Sequence, residues 1–215
     1  MFLLYQKKDK IFPENVSIGG DLYSVNADFK NILRILDMLD DENISEYKKI
    51  HKLREWFFDD GLPDNMSRET IIDVFIDFLR ETTPSNGAPR ASRPTPDEMD
   101  RIEKTEERER QFCYHFDAGE IYAGFLSEYH IDLIDVDMHW YKFRILLENL
   151  SPESAFKRKI ELRIMDLSGH DSLDGGRKFA ELARAKESVQ LPTRVTKTIE
   201  NLQEEFNEIW GKAGN

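Results

Sequence analysis

Between Thr82 and Pro96 the chain reads TTPSNGAPRASRPTP, and no other segment limits its folding as strongly. Pro84, Pro89, Pro94 and Pro96 each remove a backbone donor and fix φ, so neither a helix nor a sheet strand passes through, and the polar residues between them bring nothing to a core. Residues 97–110 extend the interruption. Apart from Met99 and Ile102 they are polar or charged on every face, which predicts a solvated helix or a disordered extension. The foldable part of the chain is therefore split into an N-terminal and a C-terminal block, each with its own periodic apolar pattern.

In the first block, Val16-Ser17-Ile18 and Asp21-Leu22-Tyr23-Ser24-Val25 alternate around Gly19-Gly20, the pattern of a short hairpin with Val16, Ile18, Tyr23 and Val25 on its packed face. Three helices follow. Asn26 or Asp28 caps the first, with Phe29, Ile32, Leu33, Leu36 and Leu39 as its apolar side, and the acidic run Asp40-Asp41-Glu42 ends it. Ser45 caps the second, carrying Tyr47, Ile50, Leu53, Trp56 and Phe57, and Gly61 with Pro63 closes it. Ser67 caps the third, with Ile71, Ile72, Phe75, Phe78 and Leu79 on one side.

The second block opens near Phe112. Asp117 and Glu120 have the spacing of a capping box before a helix carrying Ile121, Tyr122, Phe125, Leu126 and Tyr129. Asp135 or Asp137 is expected to start the next helix, striped by Trp140, Phe143, Leu147 and Leu150. Ser151-Pro152 is expected to start a third, with Phe156, Ile160, Ile164 and Leu167. Gly169, Gly175 and Gly176 loosen the chain before a weaker helix with Phe179 and Leu182. After Pro192, residues Val195, Ile199, Leu202, Phe206 and Ile209 recur at alternating spacings of four and three, a heptad seam that suits docking on its own domain, self-association or capture of a partner helix. The expected fold is mostly α: two small helical bundles or one elongated bundle, with a short N-terminal β-hairpin and a C-terminal heptad-like helix. The expected division is 11–83 for the hairpin and its helices, 84–110 for the linker, 111–170 for the C-terminal helical domain and 171–215 for a helical tail.

Composition narrows the function classes. Forty-two acidic against thirty basic residues give a formal net charge of −12, which repels phosphate backbones, and no basic patch dominates the sequence. One cysteine, Cys113, excludes an internal disulfide framework or a multi-thiolate zinc site and suits a reducing cytoplasm. No run approaches the roughly 20 apolar residues of a membrane span, and the apolar start Phe2-Leu3-Leu4 is cut off by Lys7, Lys8, Asp9 and Lys10 before a signal sequence develops.

Candidate chemistry is sparse. Asp135 and His139, four apart on the expected helix, invite a metal, but Asp137 faces away from them and a zinc site needs three or four convergent ligands. Ser168-Gly169-His170-Asp171 names the members of a hydrolase triad in contiguity, whereas a triad converges from separate segments. Neither glycine pair lies in a phosphate-binding motif. Lys157, Arg158, Lys159 and Arg163 form a small basic cluster suited to a solvated face, an acidic partner or the acidic part of this same chain. These residues point to binding rather than catalysis, with no cofactor.

One stretch carries a family resemblance. Phe116-Asp117, IYAGFLSEYHIDLIDVDMHWYKFRILLENL and Arg163-Ile-Met-Asp-Leu-Ser168 resemble the bacteriophage gene-product-fifteen family of siphophages and prophages. Phe12-Pro13, the Gly19-Gly20 hairpin and Val25-Asn26-Ala27-Asp28-Phe29 look like the opening of that family, and His139 to Arg144 is the most specific piece. The sequence departs from the pattern at His130, where relatives tend to have glycine, in its longer proline-rich segment and in its longer tail. Genes of this family usually lie between those for the major tail protein and the tape measure protein. The resemblance therefore implies a non-enzymatic tail assembly chaperone that binds the tape measure protein in the host bacterial cytoplasm and is absent from the mature virion. The tail tube protein and a second copy of the chain are further partners to consider, with neither nucleic acid nor membrane. Trp140, Phe143 and Leu147, together with Val195, Ile199, Leu202, Phe206 and Ile209, are the candidate partner contacts. The competing classes are a structural minor virion or connector protein and a metal-dependent hydrolase using Asp135 and His139.

Overall fold

The computed structural model describes residues 12–59, 61–62, 66–81, 111–167 and 177–191. Among them the fold is mostly α, with seven α-helices, one π-helical segment and one two-stranded hairpin. Two compact units divide the described residues: 12–81 with Asp137–Glu148, and 111–136 with 149–191. This cuts across the expected block 111–170, because the segment holding Trp140, Phe143 and Leu147 packs with the N-terminal elements rather than with its chain neighbours.

In the first unit β1 (Asn15–Ile18) pairs antiparallel with β2 (Asp21–Ser24), with Val16 opposite Tyr23 and Ile18 opposite Asp21. Gly19 and Gly20 both have positive φ, 62° and 99°, as a two-residue turn matched to the strand twist requires. The hairpin leads to α1 (Phe29–Asp40), whose N-cap is Asp28: its carboxylate accepts the Lys30 N–H at 2.9 Å. α2 (Glu46–Phe57) follows, with Ser45 at the N-cap position but no side-chain cap bond. α3 (Arg68–Glu81) begins after Ser67, whose Oγ accepts the Thr70 N–H at 3.2 Å.

All five apolar residues expected to face inward from α3 are buried, and Ile76 joins them. α1 is rotated from expectation. Ile35 and Met38 are buried beside Phe29, Ile32 and Leu39, whereas Leu33 and Leu36 are only half-buried. On α2, Ile50, Leu53 and Phe57 are interior, but Tyr47 is exposed and Trp56 half-buried. Phe57 is the hub of the unit, making edge-on contacts with Phe58, Phe75 and Phe78 at 4.9–5.1 Å between ring centres.

The fourth helix of this unit is α5 (Trp140–Glu148). It begins neither at Asp135 nor at Asp137. The helix is started by His139, whose Nδ1 accepts the Tyr141 N–H at 3.0 Å and whose carbonyl accepts the Phe143 N–H at 3.1 Å.

The second unit holds α4 (Ala118–Gly124), continued by the π-helical segment Phe125–Tyr129, then α6 (Ala155–Ile164) and α7 (Arg177–Ser188). His130 ends the π segment in the left-handed region (φ 55°, ψ 33°), a conformation seldom taken by a residue with a side chain. The His130 and Ile131 N–H groups both point to the Phe125 carbonyl. Gly124 allows a close approach, because a Cβ there would lie 3.0 Å from Leu150 Cδ1. α6 starts later than Ser151-Pro152 would place it. Its cap is Ser154, which accepts the Lys157 N–H at 3.2 Å, while Ser151 donates from N and Oγ to Glu128 at 2.9 and 3.0 Å.

Candidate partner-binding surface

The two most distinctive pieces of the sequence meet in the first unit. Asp28, after capping α1 with Oδ1, accepts the Met138 N–H on Oδ2 at 3.0 Å. Phe29 N donates to the Met138 carbonyl at 2.9 Å, and Trp140 N to the Ala27 carbonyl at 2.7 Å, which makes a short antiparallel bridge of Asp28 with His139 between segments remote in sequence. His139 completes this clasp. The Pro13 carbonyl, 3.0 Å from Nε2, can only accept, and the Tyr141 N–H can only donate to Nδ1, so the imidazole is the neutral tautomer protonated at Nε2.

That arrangement removes the premise of the Asp135–His139 metal pair. The two residues do not share a helix, and both imidazole nitrogens are engaged with backbone groups. Among the described residues, no group of three or more His, Cys, Asp or Glu side chains is placed to hold a metal ion.

Three of the candidate contacts are interior. Trp140, Phe143 and Leu147 are each at most 2% exposed, Phe143 stacking on Phe29 with centroids 4.7 Å apart and on Trp140 at 5.7 Å. They form the core of the first unit and present no surface to a partner. Val195, Ile199, Leu202, Phe206 and Ile209 lie outside the described residues, as do the proline-rich segment, the charged stretch to residue 110 and Ser168 to Asp171.

Asp117 also departs from expectation. It makes no side-chain cap bond to α4. Instead its fully buried carboxylate accepts two bonds from the Arg163 guanidinium, at 2.9 and 3.0 Å, one from Cys113 N at 2.9 Å, and pairs with Lys159 Nζ at 2.9 Å. Lys159 reaches Glu120 as well, at 2.8 Å. Arg163 further donates to the Gln111 carbonyl at 2.6 Å and the Val189 carbonyl at 2.7 Å, so one side chain gathers the segment before α4 and the segment after α7 onto α6. Burial disfavours the charged form of Asp117, but the bonds from Arg163, Cys113 and Lys159 outweigh it and hold the carboxyl below its ordinary value. Desolvation lowers Lys159, and Glu120 with Asp117 more than reverses it, raising the ammonium above its ordinary value. Lys159 and Arg163 are thus spent within this chain, and of the cluster expected at 157–163 Arg158 is the one exposed side chain.

The outward-facing features lie elsewhere. Phe116, Leu126, Ile134 (72%) and Ile164 are exposed on the second unit, and Leu22 and Tyr47 on the first. On α1 and α2 a cationic surface surrounds one aromatic ring: the Arg34 guanidinium carbon lies 3.6 Å and Lys52 Nζ 4.5 Å from the centre of the Trp56 ring. Trp56 counted toward the core in the apolar pattern of α2. The signal that separates it was present, since Lys48, Lys52 and Trp56 follow one another at i, i+4, i+8 on a single stripe.

No described helix is long and apolar enough to cross a membrane. A family model described as Bacteriophage Gp15 protein matches residues 8–191. Neither the curated proteins nor the solved structures give a match.

Proposed function

The chain belongs to the Bacteriophage Gp15 protein family, and from that membership we propose that it is a tail assembly chaperone which binds the tape measure protein during tail morphogenesis and is left out of the mature virion. The observation that carries this reading is the family match over residues 8–191, taken with the gene position usual for relatives, between the major tail protein and the tape measure protein. The structure is compatible with such a role. Each unit is closed by its own interior contacts, and the polar clusters within them, around His139 and around Asp117, are occupied in holding segments together. A long tape measure helix with an apolar stripe aggregates unless that stripe is covered, and a helical protein with exposed aromatic and aliphatic side chains suits the task. Binding in the host cytoplasm, ended when tail tube subunits take over the tape measure chain, follows from the same reading.

Co-expression with the next long, helix-rich reading frame is the direct trial. A soluble complex that co-elutes on gel filtration is the expected result. An insoluble tape measure chain with no complex would remove the proposal's support.

A further inference from the structure

We propose that the Trp56 face of α1 and α2 is a docking surface for an acidic helical segment of a partner protein. The inference names the chemistry that the partner proposed above would present, and it rests on that reading only for the partner's identity.

Trp56 is half-buried, so its ring is fixed at the surface: its carbonyl accepts a 2.7 Å bond from Asn31 Nδ2, which ties the last turn of α2 to α1. Arg34 lies over the ring from the neighbouring helix, and Lys52 approaches it from one turn earlier on α2. A guanidinium that interacts with an indole through its flat face keeps its N–H groups in its own plane, where they form a fork matched to a carboxylate. Arg34 is exposed, and no carboxylate among the described residues forms an ion pair with Arg34, Lys48 or Lys52. Several other cations are paired within the chain. Lys49 pairs with Glu46, Arg144 with Glu148, and Lys159 and Arg163 with Asp117. In a chain of net charge −12, two cations over one aromatic ring, Arg34 and Lys52, with Lys48 one turn further along α2 and none of the three paired to a described carboxylate, form a locally positive stripe.

The spacing favours a helix as the occupant. Lys48 and Lys52 stand one turn apart, about 6 Å between Cβ atoms, which is also the separation of carboxylates at i and i+4 on a facing helix. The third cation, Arg34, is contributed by the adjacent helix and widens the stripe into a face, while the Trp56 ring beneath Arg34 and Lys52 fixes where their charges stand. A long polyanion such as nucleic acid would match the cations locally but meet the repulsion of the whole chain.

The test uses the full chain and three probes at low salt: a synthetic helical peptide with glutamates at i, i+4 and i+8, the same peptide with lysines in their place, and a single-stranded oligonucleotide of equal net charge to the first. Binding is read by titration calorimetry. The acidic peptide is expected to bind, to weaken at least tenfold on raising the salt to 0.5 M, and to weaken at least tenfold in Arg34→Glu with Lys52→Glu. Because these side chains are outside the core, the variant should keep its circular dichroism, and the milder Arg34→Gln with Lys52→Gln provides a second reading of charge alone. Lys142→Glu, exposed on α5, should leave binding unchanged. Equal affinity of wild type and both double variants for the acidic peptide, no binding by the wild type, or preference for the oligonucleotide would each overturn the proposal. Capture of the co-expressed tape measure chain is scored separately. If wild type and the charge-reversed variant capture it equally, the docking surface is refuted while the chaperone reading stands. If neither captures it, the chaperone reading fails and the peptide titration alone decides for or against the surface.

Discussion

Both units fasten together segments that are remote in sequence, and they do so with different chemistry. The first clasps α5 to the start of α1 across 110 residues through backbone bonds, the Asp28 carboxylate and a neutral imidazole, over a floor of stacked aromatics. The second fastens α6 to the start of α4 across 46 residues through a buried guanidinium–carboxylate pair with a lysine beside it. A clasp of backbone groups over an apolar core loses little when one polar atom is removed. A buried ion pair is less forgiving, since deleting Arg163 leaves the desolvated Asp117 carboxylate with only Lys159 and the Cys113 N–H to hold its charge. The second unit should therefore be the more sensitive to single substitutions and to acid.

The sharpest way to break this comparison is Arg163→Ala. It should cost about 3–5 kcal/mol in the second unit, the range for breaking a buried pair, and hydrogen exchange should open residues 111–136 and 149–191 while 12–59 stay protected. Replacing both partners, Asp117→Leu with Arg163→Met, should recover most of that loss, because no unpaired charge is left. Equal opening of both units by the single substitution would contradict their independence.

Acid is the second lever. The folded-state pKa of Asp117 lies below its unfolded value, so its contribution is complete at pH above the unfolded value and is lost as pH falls through the folded one. Exchange measured from neutral pH downward should show the second unit loosening first, at the acidic end of the carboxylate range, and Asp117→Leu with Arg163→Met should abolish the order.

Asp28→Ala ranks third. It removes the acceptor for Lys30 N–H and Met138 N–H, and should cost about 1–2 kcal/mol, read as a shift in the denaturation midpoint confined to the first unit. A loss as large as that from Arg163→Ala would show that the clasp, too, depends on one charge. Tyr47→Ala, on an exposed ring, should stay within about 0.5 kcal/mol of wild type and serves as the lower reference.

The same contrast explains what could be read from the sequence. The third helix was legible because in RETIIDVFIDFLRE the polar residues interrupt the apolar ones at a single phase. In FKNILRILDMLD, apolar residues occupy 32, 33, 35, 36, 38 and 39, so several stripes fit and packing against α2 and α5 selects the one with Ile35 and Met38. Helix starts were harder. His139 and Ser154 win over Asp135, Asp137 and Ser151 because a bridge to Ala27 and a bond to Glu128 hold those segments in place, and neither partner is local. Asp117 looked like a cap since D-x-x-E is a capping signature, whereas its true partner Arg163 is 46 residues away. The aromatic core of α5 was visible as apolar periodicity, but whether that stripe faces inward or outward is decided by α1 and α3. The Trp56 surface is harder to read for the opposite reason: an indole at a helical spacing suggests core, and only the lysines at i−4 and i−8 on its stripe point outward.

The proposed role requires that this chain act on the tape measure protein during assembly and then depart. Quantitative mass spectrometry of tape measure complexes isolated before tail completion, alongside purified mature particles, tests it most directly. The chaperone reading predicts peptides of this chain in stoichiometric amounts with the tape measure protein in the early fraction and none in the particles. Stoichiometric peptides in finished particles, or none with the tape measure protein at any stage, would contradict it.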